Sequence, residues 1–192
     1  MNFQKLLFAA LVVLTVNATF AQDTNVDFHT VTIGIPEVAL LDLESSTGTA
    51  ITLQGTAPTE AGEAANFNAS NSDVWINYSS IVGSVTEPSR NVTVQITDGN
   101  VPNGLVLSVL ASQDNGQGDG TMGTANAAAI ELSTTTADKI IDGVGSSYTG
   151  NGANKGHNLT YSLALDTAAG SYAQVDFDQA TTLTVTYTLS DN

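Results

Sequence analysis

The sequence contains no cysteine, which excludes disulfides, a lipid-bearing lipoprotein cysteine and cysteine-ligated zinc. Basic residues are also scarce: four Lys and Arg stand against 19 Asp and Glu, for a formal net charge of −15. Because like charge repels phosphate, we expect neither nucleic acid nor anionic lipid as a partner. A chain of 192 residues can bury enough surface to form a stable core without cross-links.

The sequence has no apolar run long enough to span a membrane comfortably, and the apolar stretch near the start of the chain is short. Lys5 precedes the apolar stretch 6–14, and Thr19-Phe20-Ala21 places small residues at the cleavage positions. This pattern predicts a signal peptide over residues 1–21, followed by one domain over residues 22–192. The apolar stretch is too short to span a bilayer comfortably. We therefore expect export, a secreted or cell-surface location, and no membrane insertion after signal cleavage.

The sequence shows no recognisable catalytic machinery. Only two histidines, His29 and His157, are available as a base, and no serine lies in a Gly-x-Ser-x-Gly turn. We expect a surface or turn role for both histidines. A carboxylate pair that hydrolyses glycosides is the enzymatic alternative, but its deciding quantity, the distance between the two acids, is not visible in a sequence. We expect the protein not to be an enzyme.

The dominant positive signal is an alternation of apolar and polar residues. Leu183, Val185, Tyr187 and Leu189 alternate with four threonines, and residues 159–165 and 92–96 repeat the pattern. On a strand this spacing places the apolar side chains on one face, whereas a helix would distribute them around its circumference. Half-buried antiparallel strands have this pattern.

Weaker strand signals occur between these three segments, with Gly, Asn and Asp at the turns. The pattern predicts an all-β fold, an immunoglobulin-like antiparallel β-sandwich. The weaker predicted strands are His29–Ile35, Val38–Leu43, Thr49–Gln54, Val74–Tyr78, Leu105–Ala111, Ile130–Leu132, Lys139–Val144 and Tyr172–Phe177.

Two groups of residues are candidates for ligand binding. The aromatic side chains of Trp75, Tyr78, Tyr148 and Tyr161 are the candidate platforms for a carbohydrate or another neutral ligand, although a packing role is favoured for Trp75. The predicted loop 113–123 contains Asp114, Asn115 and Asp119, whose oxygen atoms suit calcium. Because their spacing matches no established calcium loop, a plain flexible loop is favoured over a metal site. No other cofactor is expected.

The residues after the predicted signal peptide have an apolar pattern of their own. Val26, Phe28, Val31, Ile33 and Ile35 could pair with an exposed sheet edge of a neighbouring copy. The alternative, that this segment is the first strand of its own domain, is favoured. The expected function is that of a structural or interaction protein, as a subunit of an extracellular assembly. The alternative function is a non-catalytic carbohydrate-binding module.

Several stretches in this order resemble small secreted proteins of Bacteroidetes, especially of flavobacterial type, which have no assigned function. The ending, with Gly170 and Tyr172 before a threonine-rich last strand, is also similar to immunoglobulin-like fimbrial and spore-coat-U-type subunits. Neither resemblance implies catalytic residues. The stretches behind the first resemblance are 33–42, 75–78, 90–96, 101–104, 141–145, 148–150 and 183–191.

Overall fold

The computed structural model describes residues 25–192, so the predicted signal peptide at residues 1–21 lies outside the described residues. The chain divides into two units, Met1–Gly34 and Ile35–Asn192. In the first unit, the described residues 25–34 form no helix or strand and are exposed. The second unit contains the sheet and the hydrophobic core.

Residues 25–192 form nine strands, and all their pairings are antiparallel. The described residues contain no α-helix, only two short 3-10 helices at Ser171–Gln174 and Phe177–Gln179. The strands are β1 (Val38–Glu44), β2 (Ala69–Ile81), β3 (Arg90–Asp98), β4 (Leu105–Ala111), β5 (Asp119–Ala125), β6 (Ile130–Glu131), β7 (Asp138–Tyr148), β8 (His157–Leu165) and β9 (Thr184–Asp191).

The strands form one sheet in the order β6-β4-β8-β2-β7-β3-β9, with β1 paired to β2 and β5 paired to β7. The long strand β2 connects the two halves of this sheet. It pairs with β1 and β8 along most of its length and with β7 near its end, at Ser79 and Ser80. Within the described residues, β1, β5, β6 and β9 each have one hydrogen-bonded neighbour.

Both halves of the sheet contribute side chains to one hydrophobic core. The hydroxyl groups of Tyr161 in β8 and Tyr187 in β9 lie 2.7 Å apart, although these strands are not neighbours in the sheet. The residues after β6 also bridge the halves: Leu132 N donates to Leu107 O in β4, and Ile96 N in β3 donates to Ser133 O. The predicted all-β, antiparallel class is confirmed, and the arrangement is consistent with a β-sandwich.

The strongest sequence patterns correspond to strands, and their apolar faces supply the core. Val92, Val94 and Ile96 of β3 and Leu159 of β8 are almost fully buried. In β9, Tyr187 is buried and Val185 and Leu189 are half-buried, while Thr184 and Thr188 are exposed. Alternation therefore identified the core face of each of these strands, because successive side chains of a strand point to opposite faces.

Three of the predicted strands are wrong. Residues 29–35 and 49–54 are outside any strand, and residues 172–177 contain most of one 3-10 helix and the start of the other. Conversely, β5 begins at Asp119 inside the predicted loop 113–123. Glycine-rich segments seldom form strands, but here a β-carbon on Gly120 would overlap the backbone of β7. Glycine is needed for this close approach between β5 and β7.

Candidate functional site

The segment that precedes β1 exposes a row of large apolar side chains. Phe28 is 88% exposed and Ile33 is 84% exposed, and Val26, Val31 and Ile35 are also exposed. The favoured prediction, that this segment is the first strand of its own domain, is wrong, because none of these residues is in a strand. Apolar side chains grouped at a surface in this way are typical of interaction segments.

Immediately after this segment, the start of β1 is anchored by the buried side chain of Arg90. Arg90 is 1% exposed and is the only arginine in the sequence. Its Nη1 donates to the carbonyl oxygens of Val38 (2.6 Å) and Ile81 (3.1 Å) and to Ser80 Oγ (3.2 Å). These bonds connect β1, β2 and β3 at one point, so the start of β1 is held in place.

Three carboxylates surround the same guanidinium. Glu37 Oε1 lies 2.6 Å from Arg90 Nη2, Asp191 Oδ1 lies 2.8 Å from Arg90 Nε, and Glu87 Oε2 lies 3.8 Å from Nη2. The carboxylate oxygens are close enough to one another to hold a metal ion. The guanidinium already supplies the positive charge that such a group of carboxylates requires, so we interpret the group as an ion-pair network. Sequence reasoning missed this role of Arg90, because burial of a cation leaves no pattern along the chain.

His157 is fully buried, so the expected surface or turn role is wrong for this residue. Its Nδ1 lies 2.8 Å from the Ser112 carbonyl oxygen, which can only accept, so Nδ1 carries the proton. Its Nε2 lies 2.8 Å from the hydroxyl oxygen of Tyr78, whose single proton is directed either to Nε2 or to the carbonyl oxygen of Met122. Glycine is needed at position 156, directly before His157, because its φ is 65° and a β-carbon there would overlap the backbone oxygen of Ile76. His29, by contrast, is exposed, as expected.

Burial shifts the proton affinities of this pair in opposite directions. Burial lowers the pKa of His157 below its ordinary value of 6.5, against smaller opposing effects of the Ser112 carbonyl and of Asp114. Burial also raises the pKa of Tyr78 above its ordinary value of 10.0, and the negative charge of Asp114 raises it further. At neutral pH both groups are therefore uncharged, and the pair connects β2 to β8 within the core.

The four candidate aromatic residues do not form one surface. Tyr78 and Tyr161 are buried, and the hydroxyl of Tyr161 bonds to that of Tyr187, so neither ring is available to a ligand as a platform. Trp75 is half-buried in β2, between Glu44 of β1 and Asn158 of β8. Only Tyr148 is well exposed, at 55%.

Tyr148 lies between two neighbouring surface grooves. One groove, of about 380 Å³, extends toward Val38 and Ile81. The other, of about 460 Å³, extends toward Leu40 and Asn151. Tyr148 and Ser79 line both grooves, so together they form a continuous depression across β1, β2 and β7. Both grooves are open to solvent rather than enclosed, and their volumes are within the range of small-ligand sites.

The three candidate calcium ligands have separate local roles. Asp114 Oδ2 accepts from Gly116 N at 2.7 Å, and Asp119 Oδ1 accepts from Gly120 N at 2.8 Å at the start of β5. The side-chain amide of Asn115 donates to the Asn154 carbonyl oxygen. Among the described residues, Asp114 Oδ1 is a buried oxygen without a hydrogen-bond partner. Calcium at this loop stays a prediction.

Within residues 25–192, no helix is long and apolar enough to cross a membrane. Comparisons with known proteins return no relative: no protein-family model, no curated protein and no solved structure matches this chain.

Proposed function

We propose that the protein is an exported, non-enzymatic structural or interaction protein that assembles with other copies of itself. The exposed apolar segment 26–35 is the observation that carries this proposal. In the assembly, the segment of one copy adds as a strand to a free sheet edge of the next copy. Backbone hydrogen bonds then give affinity, and alternate apolar side chains are buried.

Acceptor edges exist in the same molecule. Within the described residues, β1 and β9 each have one hydrogen-bonded neighbour. Leu41 and Leu43 of β1 and Val185 and Leu189 of β9 contact the core but are only partly buried. An added strand would cover these side chains further and pair backbone groups on the edge that has no neighbouring strand. A donor segment and an acceptor edge on one chain form a head-to-tail contact, which can repeat without closing.

Other features support a non-enzymatic, extracellular role. His157 is buried and cannot meet a substrate, and the net charge of −15 disfavours nucleic acid. The predicted signal peptide is the basis for the proposed secreted or cell-surface location. The likeness to secreted Bacteroidetes proteins and to fimbrial-type subunits fits this role and belongs to the same proposal.

Light scattering coupled to size-exclusion chromatography tests the proposal over a range of concentrations. We expect oligomers that grow with concentration, and we expect Ile33→Asp to abolish them by placing a charge in the buried face of the donor strand. Val85→Asp is the matched control, since Val85 is 90% exposed in the β2–β3 connection, outside the segment. A chain that stays monomeric at high concentration would refute self-assembly, as would oligomers that Ile33→Asp leaves unchanged.

A further inference from the structure

The Tyr148 depression has the composition of a ligand site, and we propose that it binds a neutral oligosaccharide. The site shares strand β1 with one of the two acceptor edges proposed above, but its ligand does not depend on self-assembly.

Strand register places the central residues of the site in one row. Leu40 in β1 pairs with Ser79 in β2, Ser79 pairs with Tyr148 in β7, and Tyr148 pairs with Asp119 in β5. Directly paired residues in an antiparallel sheet share a face, so these four side chains lie side by side across four strands. Leu40 is 67% exposed, so two exposed apolar side chains flank one small serine. The serine leaves a gap between them that a flat ring can enter.

Each groove contains one carboxylate whose orientation is fixed. Asp42 lines the groove on the Leu40 side, and its Oδ1 accepts from Leu43 N at 2.8 Å. Asp119 lines the other groove, and its Oδ1 accepts from Gly120 N at 2.8 Å. In both residues Oδ2 accepts no hydrogen bond from another described residue. Each groove thus offers one fixed acceptor to a ligand hydroxyl group.

The lining identifies the chemical class of the ligand. None of the residues that line the two grooves is a lysine, arginine or histidine, which disfavours anionic ligands such as sulfated or phosphorylated sugars. The other polar groups that reach the surface there include the hydroxyls of Ser79, Ser146 and Tyr148 and the amide of Asn151. A neutral sugar presents hydroxyl donors at its edge and a C–H face that packs on an aromatic ring, and both features have partners here. Two adjoining grooves on either side of Tyr148 favour a chain of at least two sugar units.

An array of short neutral oligosaccharides, followed by calorimetry on the sugars retained, tests the proposal with the full-length exported chain. We expect binding to weaken about tenfold or more in Tyr148→Ala, because the stacking surface is lost, and about threefold or less in Tyr148→Phe, because the ring remains. Phe177→Ala is the matched control and should leave binding unchanged, since Phe177 is 90% exposed and lines neither groove.

A second pair of variants tests the site without changing β7, in case Tyr148→Ala disturbs the folding of that strand. Asp42→Asn and Asp119→Asn each keep the shape of the side chain while weakening its acceptor oxygen, so each should reduce sugar affinity without changing the melting temperature. An array on which the folded chain binds no neutral sugar overturns the proposal. So does sugar binding that survives Tyr148→Ala. Salt-sensitive binding of a lysine-rich peptide in place of sugar would show that the ligand is cationic and would also overturn it.

Discussion

Replacement of the buried Arg90 by methionine should destabilise the fold strongly, even though an apolar side chain is usually favourable in a protein core. The guanidinium makes hydrogen bonds to two carbonyl oxygens, one serine hydroxyl and two carboxylates, and it is 1% exposed. Methionine fills much of the same volume but supplies no donor, so the two carbonyl oxygens and the hydroxyl lose their partner inside the protein.

The size of the stability loss depends on which of the former partners of Arg90 can form hydrogen bonds with water instead. Removal of one partner from a fully buried ion pair costs about 3–5 kcal/mol, mostly because the remaining charge stays buried. Here the carboxylates of Glu37, Glu87 and Asp191 are 66%, 40% and 48% exposed, so they regain hydration. The buried Ser80 hydroxyl and the partly buried carbonyl oxygens of Val38 and Ile81 lose this donor, at a cost of about 1–3 kcal/mol for each group that stays unsatisfied. We therefore expect a loss of about 3 kcal/mol in the free energy of unfolding.

Urea denaturation monitored by the fluorescence of the single tryptophan, Trp75, measures this loss. Lys139→Met is the matched control, because it removes the same charge from an exposed pair with Asp142 and should cost less than about 1 kcal/mol. Arg90→Lys keeps the charge but not the planar fork, so it should recover only part of the loss. If Arg90→Met costs no more than Lys139→Met, the anchoring role of Arg90 is wrong.

Two further predictions concern buried polar groups in the core. The folded-state pKa of His157 is lowered by burial, so its contribution to stability is present above the unfolded pKa of about 6.5 and is lost as pH falls toward the folded value. His157→Asn, which keeps a donor for the Ser112 carbonyl but cannot titrate, should lose less stability between about pH 7.5 and 5 than the unmodified chain, and parallel urea midpoints would contradict this. Tyr161→Phe and Tyr187→Phe should each cost about 1–2 kcal/mol, because the remaining buried hydroxyl loses its partner. The double variant should cost less than the sum of the two, whereas additive losses in a double-mutant cycle would show that the two hydroxyls do not interact.

Some candidate site residues could be identified from local sequence patterns, whereas others depend on contacts between distant strands. Sequence reasoning named Tyr148 but grouped it with Tyr78 and Tyr161, which the structure buries. All three are tyrosines in strands, and their exposure depends on which strand covers each face. Leu40 and Ser79 were not recognised as site residues, because they join Tyr148 only through pairings between β1, β2 and β7.

The sequence by itself determined the all-β class, because alternation with a period of two is a property of each strand alone and can be read without knowing its partners. The same local information predicted a strand at residues 29–35, where the structure has none, since the pattern of apolar residues does not tell whether a partner strand is available. Only the tertiary structure decided the burial of Arg90 and His157, the closeness of β5 to β7 and the row of residues around Tyr148. Each of these depends on which distant strands pair and in what register, and a shift of one residue would turn every side chain of a strand to the opposite face.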